Sequence, residues 1–305
     1  MQKKTNAQGV RPCLKAVYCL GLLLLGVNFA NASCLDSRGL IPNDSNLSLY
    51  SGFYVGGDGC FYDPMGIDVA KVPPALGPSG DTGKRIIFVN GANPKAEREP
   101  YFLQLLAQKR DLPAVGVFNP QSKQNPFSTP QNAGVSPVRT LEALTLQSLE
   151  THREVLIRAG SSGSTVVAVA IGRTKAQWKE RISNRRALNR ALRTIKIETF
   201  GGVGLIYPNG PRYVHYANLL DPNALKYGVL NPLTLPGKGA VIAVFKDSLP
   251  PLEANYEPLS EANYKVLSHH GFGVYNAHQM DFDQLYRFSS KHLPYTVIPL
   301  AWLKH

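Results

Sequence analysis

The sequence predicts an α/β protein with a mostly parallel central sheet and helices on both faces, and two observations carry that expectation. Arg85–Val89 and Val155–Ile157 have the β-branched and apolar character of buried strands, and Ala114–Phe118, Ile195–Phe200, Tyr213–Asn218 and Ala240–Phe245 read as further strands. Between them, apolar residues recur at three- and four-residue spacing, the mark of helices that lay one face on a sheet. Strands alternating with helices over short connections give parallel pairing. In such sheets a site lies at the carboxyl ends of the strands.

Residues 1–32 stand apart from that pattern. Lys3, Lys4, Arg11 and Lys15 precede an apolar run from Ala16 to Phe29, and Ala30-Asn31-Ala32 offers small residues at the alternate positions a signal peptidase reads. A signal peptide cleaved near Ala32, with export to the periplasm or the exterior, is therefore expected. The run is shorter than the roughly 20 apolar residues a membrane span needs. A lipoprotein signal at Cys34 ranks second, because Asn31 stands where an aliphatic residue is wanted.

Removing 32 of 305 residues leaves 273, and the loss of four basic residues and no acidic one lowers the net charge from +12 to +8. That length fits one large α/β domain. Cys13 and Cys19 leave with the leader, and the two remaining cysteines, Cys34 and Cys60, are expected to close a disulfide in an oxidising compartment.

Three segments follow: the leader at 1–32, an N-terminal segment at 33–83, and a main domain at 84–305. The second is rich in Gly, Asp, Ser and Pro, with aromatic runs at Leu49–Val55 and Cys60–Tyr62, and reads as one or two edge strands and a linker. Asn43-Asp44-Ser45 and Asn46-Leu47-Ser48 match the glycosylation acceptor pattern, which matters only in a eukaryotic host.

The main domain opens with the strand ending at Val89. Asn90-Gly91-Ala92-Asn93-Pro94 follows as a turn in which Asn93 caps a helix running to about Arg110, with Tyr101, Phe102, Leu105 and Leu106 on its packed face. Asn119–Ser136 is a polar loop of the length used for lids, and as readily a plain surface excursion. Pro137–Arg153 carries Leu141, Leu144, Leu146 and Leu149 and reads as a second helix. Trp178–Arg193 reads as a third, and Asp281–Phe288 as the last.

The junction at Ala159-Gly160-Ser161-Ser162-Gly163 holds the chemistry. A strand that turns into a helix over so few residues needs small side chains beside the turn, and here Ala159 and Gly163 flank Ser161 at two-residue spacing. This is the small-x-Ser-x-Gly form of the nucleophile elbow. A serine hydroxyl needs a base, itself held by a carboxylate. Asp221 follows the strand ending at Asn218, and His269, His270 and His278 follow the strand ending at Phe245, so nucleophile, acid and base occur in the order Ser161, Asp221, His278.

On these residues the chain resembles an α/β-hydrolase from about Lys84 to its C-terminus. The elbow departs from the commonest form, since Ala159 replaces the first glycine and Gly160 takes a place often held by histidine. The resemblance implies oxyanion donors from the backbone of Ser162 and from the loop after Ile86–Val89, where Gly91 and Ala92 are the candidates. It places the base just before the final helix, which favours His278, with His270 as the alternative. Asp247 is the alternative acid and Ser162 the rival nucleophile, with a poorer pattern of neighbours. His215, inside a strand, reads as a packed histidine.

The implied activity is that of an exported esterase or lipase working through an acyl-enzyme without a cofactor. The rival from another class is a catalytically inactive binding protein of the cell envelope on the same fold. Arg173–Lys196 holds nine basic residues and one acidic one, which fits two solvated helix faces or attraction to an anionic membrane surface. Export and the lack of aromatic interleaving argue against a nucleic-acid partner. No His or Cys spacing points to a metal site.

Overall fold

The computed structural model describes residues 42, 46–91, 98–120, 135–204, 206–247 and 270–303. Among them a nine-stranded sheet runs in the order β2-β1-β4-β3-β5-β6-β7-β8-β9. The strands are β1 (Tyr54–Val55), β2 (Phe61–Tyr62), β3 (Ile86–Val89), β4 (Ala114–Val117), β5 (Val155–Gly160), β6 (Ile195–Phe200), β7 (Arg212–Asn218), β8 (Ala240–Phe245) and β9 (Tyr295–Pro299). β1 is antiparallel to β2 and β4, and β3 through β9 pair in parallel. The protein is thus α/β with a mostly parallel sheet.

The helices are α1 (Glu99–Arg110), α2 (Pro137–Glu150), α3 (Gly163–Arg181), α4 (Arg185–Leu192), α5 (Pro222–Tyr227), α6 (Phe272–Ala277) and α7 (Phe282–Tyr286). Side chains alternate across a strand, so each strand feeds two cores. Ile87, Val89, Ile157, Ala159, Ile195 and Ile197 pack with Leu141 and Leu144 of α2 and Val166, Val167 and Ile171 of α3. On the other face, Ile86, Phe88 and Ala114 meet Leu103 and Leu106 of α1. There Val214, Tyr216 and Val241 meet Val274 of α6 and Phe282 and Leu285 of α7. Helices therefore cover both faces, and the strand ends are left to hold a site.

Two features differ from the sequence reading. β9 extends the sheet beyond β8, so Ala240–Phe245 is not its last strand. And α2 ends at Glu150, two turns of chain being enough to bring His152, at φ 53°, round into β5. The middle of the loop Asn119–Ser136 and the segment before His270 lie outside the described residues, as do residues 1–41 with Cys34 of the expected disulfide.

Candidate active site

β5 delivers Ser161. The strand ends at Gly160 and α3 starts at Gly163, so the chain reverses through Ser161 and Ser162 alone. Ser161 takes φ 46°, in the left-handed region that non-glycine residues avoid. Such a conformation costs on the order of 1 kcal/mol or more and persists where its surroundings impose it. They do so here: the Ser161 N–H donates to the Phe200 carbonyl at 2.9 Å, and the Ser161 carbonyl accepts from Val203 at 3.2 Å and Ser164 at 3.1 Å. A Cβ on Gly163 would sit 2.5 Å from the Val89 carbonyl oxygen, so only glycine lets α3 start this close to β3.

Asp221 follows β7 and caps α5, its Oδ1 accepting from the Asn223 N–H at 2.9 Å. The residue is fully buried. Its Oδ2 lies 2.6 Å from His270 Nδ1, and His270 Nε2 lies 2.8 Å from Ser161 Oγ. A carboxylate only accepts, so the proton of the neutral imidazole sits on Nδ1 and Nε2 is free to accept from the serine hydroxyl. A Cβ on Gly201, at φ 53°, would stand 3.0 Å from both Asp221 Oδ2 and His270 Nδ1, so that glycine at the end of β6 leaves the pair its space.

The histidine facing Ser161 is His270, not His278. His270 stands just before α6, and the helix carries the chain to His278 at its far end. A six-residue helix advances roughly 9 Å. There His278 Nε2 meets Asp247 Oδ2 at 2.9 Å, and its ring stacks on Phe245 with centroids 4.1 Å apart. Asp247, the alternative acid, is thereby a partner of His278 rather than of His270. His269 lies outside the described residues.

Two backbone donors surround the serine oxygen's side of the turn. The N–H groups of Gly91 and Ser162 find no acceptor among the described residues. A Cβ on Gly91 would come 2.9 Å from Ser161 Cβ, which places this backbone against the serine. The loop is held from behind: Asn90 Nδ2 donates to the Asn119 carbonyl at 2.8 Å, and the Asn119 N–H donates to Asn90 Oδ1 at 2.8 Å, tying the ends of β3 and β4 together. Ala92 lies outside the described residues. The Ser162 hydroxyl is buried with no hydrogen-bond partner among the described residues, so none of their bases serves it as a nucleophile.

Tyr275 is a site residue the sequence reading missed. Its hydroxyl donates to Asp221 Oδ2 at 2.6 Å and accepts from the Asn218 N–H at 3.2 Å. Burial, then the adjacent Asp221 charge, raises its pKa far above the ordinary phenol value, so it stays a donor. His215 lies buried in β7 between Thr199 Oγ1 at 2.8 Å and the Pro236 carbonyl at 2.9 Å, and burial lowers its pKa to about 4. It is a neutral packing group.

Among the described residues no group of three or more His, Cys, Asp or Glu is placed to hold a metal ion, and no helix is long and apolar enough to cross a membrane. No protein-family model and no curated protein matches this chain.

Proposed function

We propose that the protein is a serine hydrolase of the α/β-hydrolase type, cleaving carboxylic esters through an acyl-enzyme on Ser161. The observation that carries this reading is the continuous hydrogen-bonded line Ser161 Oγ, His270, Asp221, at 2.8 and 2.6 Å, built on a serine in the left-handed region. Ser161 follows β5, Asp221 follows β7 and His270 precedes α6, so three separate parts of the chain meet in one hydrogen-bonded line.

In this mechanism the Ser161 oxygen bonds to the ester carbonyl carbon as its proton passes to His270 Nε2. Asp221 holds the ring and stabilises the imidazolium. The carbonyl oxygen takes the negative charge, facing the Gly91 and Ser162 N–H groups. The C–O bond to the leaving alcohol then breaks, and His270 returns the proton to that oxygen. Water, deprotonated by the same nitrogen, attacks the acyl carbon and releases the carboxylic acid and free Ser161.

The rim favours apolar esters. The Val203 N–H that bonds Ser161 begins a segment in which Ile206 is 67% exposed and pairs with Leu235, 61% exposed. Exposed apolar residues grouped beside a site mark a surface for an apolar ligand. The basic start and apolar run of residues 1–32 support export to the periplasm or the exterior.

The test is hydrolysis of p-nitrophenyl acetate and butyrate by the protein and by Ser161→Ala. The wild type turns over, and the variant falls by about 10³-fold or more while unfolding at an unchanged temperature. Equal rates in the two proteins would overturn the reading.

A further inference from the structure

A concavity lies where the chain enters β7, β8 and β9, at the ends of the strands opposite those that carry Ser161 and Asp221. Its volume is about 660 Å³, within the range of small-ligand pockets, and its walls come from α3, α4 and the chain entering β7, β8 and β9. Strands of six or seven residues separate it from the triad by roughly 20 Å.

Among the described residues six cations line it, Lys175, Lys179, Arg185, Arg193, Lys238 and Lys291, and no carboxylate does. None of the six forms a salt bridge among the described residues. Glu154 and Asp283 are engaged elsewhere, each binding both Lys196 and Arg212 at 2.7 to 3.2 Å, and Glu180 of α3 is not among the lining residues. Six like charges around one hollow repel one another, and a concave wall focuses their field. The Lys175 pKa is accordingly lowered, first by burial and then by Arg185 and Lys179.

The pocket is also built. Lys175 Nζ donates to the Asn209 carbonyl at 2.8 Å, and Asn209 Oδ1 accepts from the Lys238 N–H at 2.7 Å, so one asparagine orders both walls. A solvated helix face has no need of this. Of the basic residues at 173–196, four turn into the hollow, while Arg186 and Arg190 of α4 stay outside it and exposed.

We propose that this pocket binds a compact, multiply charged phosphate group, either free in solution as a polyphosphate or carried as a phosphate headgroup on a lipid. Only an anion of several charges neutralises six cations in one hollow, and phosphate oxygens match ammonium and guanidinium donors in number and geometry. The inference stands independently of the ester-hydrolase reading.

The experiment is calorimetric titration of the full protein with inorganic tripolyphosphate at low salt, beside flotation with phosphatidic acid vesicles. Two charge-reversed variants are compared: Lys179→Glu with Lys238→Glu inside the pocket, and Arg186→Glu with Arg190→Glu outside it. Circular dichroism and thermal unfolding establish that each is folded.

Saturable one-to-one tripolyphosphate binding, weakened at least tenfold by the inner pair and less than threefold by the outer pair, supports the site. Vesicle binding lost with the inner pair alone assigns the lipid source, and its absence beside tripolyphosphate binding assigns the soluble one. No saturable binding, or equal weakening by both pairs, overturns the proposal, since equal weakening is what diffuse surface charge produces.

Discussion

Tyr275 and His270 donate to the same oxygen of Asp221, each at 2.6 Å. One donor acts on the other through the carboxylate: the phenol fixes where Oδ2 stands, and Oδ2 fixes the imidazole. Tyr275 is therefore a positioning residue. Tyr275→Phe keeps the ring packed edge-on against Phe245, at 5.2 Å, and deletes only the donor. A hydrogen bond to a charged group is worth about 2 kcal/mol, so kcat is expected to fall about tenfold or somewhat more with KM within twofold. Steady-state kinetics well below the unfolding temperature check this, since a purely structural role lowers that temperature and leaves kcat alone.

The two candidate bases are separable by one substitution each. His270→Gln removes the group 2.8 Å from Ser161 Oγ and is expected to lower kcat/KM by about 10³-fold. His278→Gln loosens a contact with the half-exposed Asp247 and is expected to leave kcat/KM within about twofold. The reverse pattern in ester hydrolysis would return the base to His278.

Gly91 is predicted to tolerate no side chain. The added Cβ of Gly91→Ala would meet Ser161 Cβ at 2.9 Å and the Gly160 carbonyl at 3.2 Å, so the backbone proposed to carry one oxyanion donor must retreat. An oxyanion donor is worth about 3 kcal/mol of transition-state stabilisation, and its displacement is expected to cost 10- to 100-fold in kcat. Comparing kcat with the midpoint of urea unfolding separates this from a general loss of stability.

Glu99, buried at the start of α1, gives a pH signature. Burial raises its pKa to about 8 from an ordinary 4.5. A group whose pKa is raised on folding contributes stability below its unfolded value and loses it as pH climbs through the folded one. Unfolding free energy is therefore expected to fall between pH 6.5 and 8. His215, lowered to about 4 on folding from an ordinary 6.5, gives a smaller slope of opposite sign that fades above about pH 7 and is common to the two proteins compared. Urea titrations of the wild type and Glu99→Gln check this, the variant showing a flatter profile.

The parts of this architecture that depend on local chemistry were legible in the sequence. Ser161 stood out because a strand-to-helix turn demands small neighbours, and Ala159, Gly160 and Gly163 supply them. Asp221 stands out because it follows the strand ending at Asn218, at a carboxyl end of the sheet. His278 ranks ahead of His270 in the sequence because it stands next to the last helical segment, whereas the structure has α6 between the two and brings His270 to Ser161. β9 carries a weak sequence signal because it is five residues long and ends in Pro299, which marks strands poorly.

The pairing of Arg158 with Glu198 was equally hidden. Each lies in the middle of an apolar strand, and only the parallel register of β5 and β6 sets them opposite one another, both fully buried. Tyr275 belongs to the same class, since its role follows from where α6 packs against β7 and from no local pattern.

The central claim is that Ser161 is an activated nucleophile. The measurement that tests it most directly is intact-mass analysis of the protein after treatment with a fluorophosphonate probe, followed by mapping of the labelled peptide. One adduct on Ser161, absent from Ser161→Ala and strongly reduced in His270→Gln, is the predicted result. An unlabelled protein, or an adduct that persists in Ser161→Ala, would contradict it.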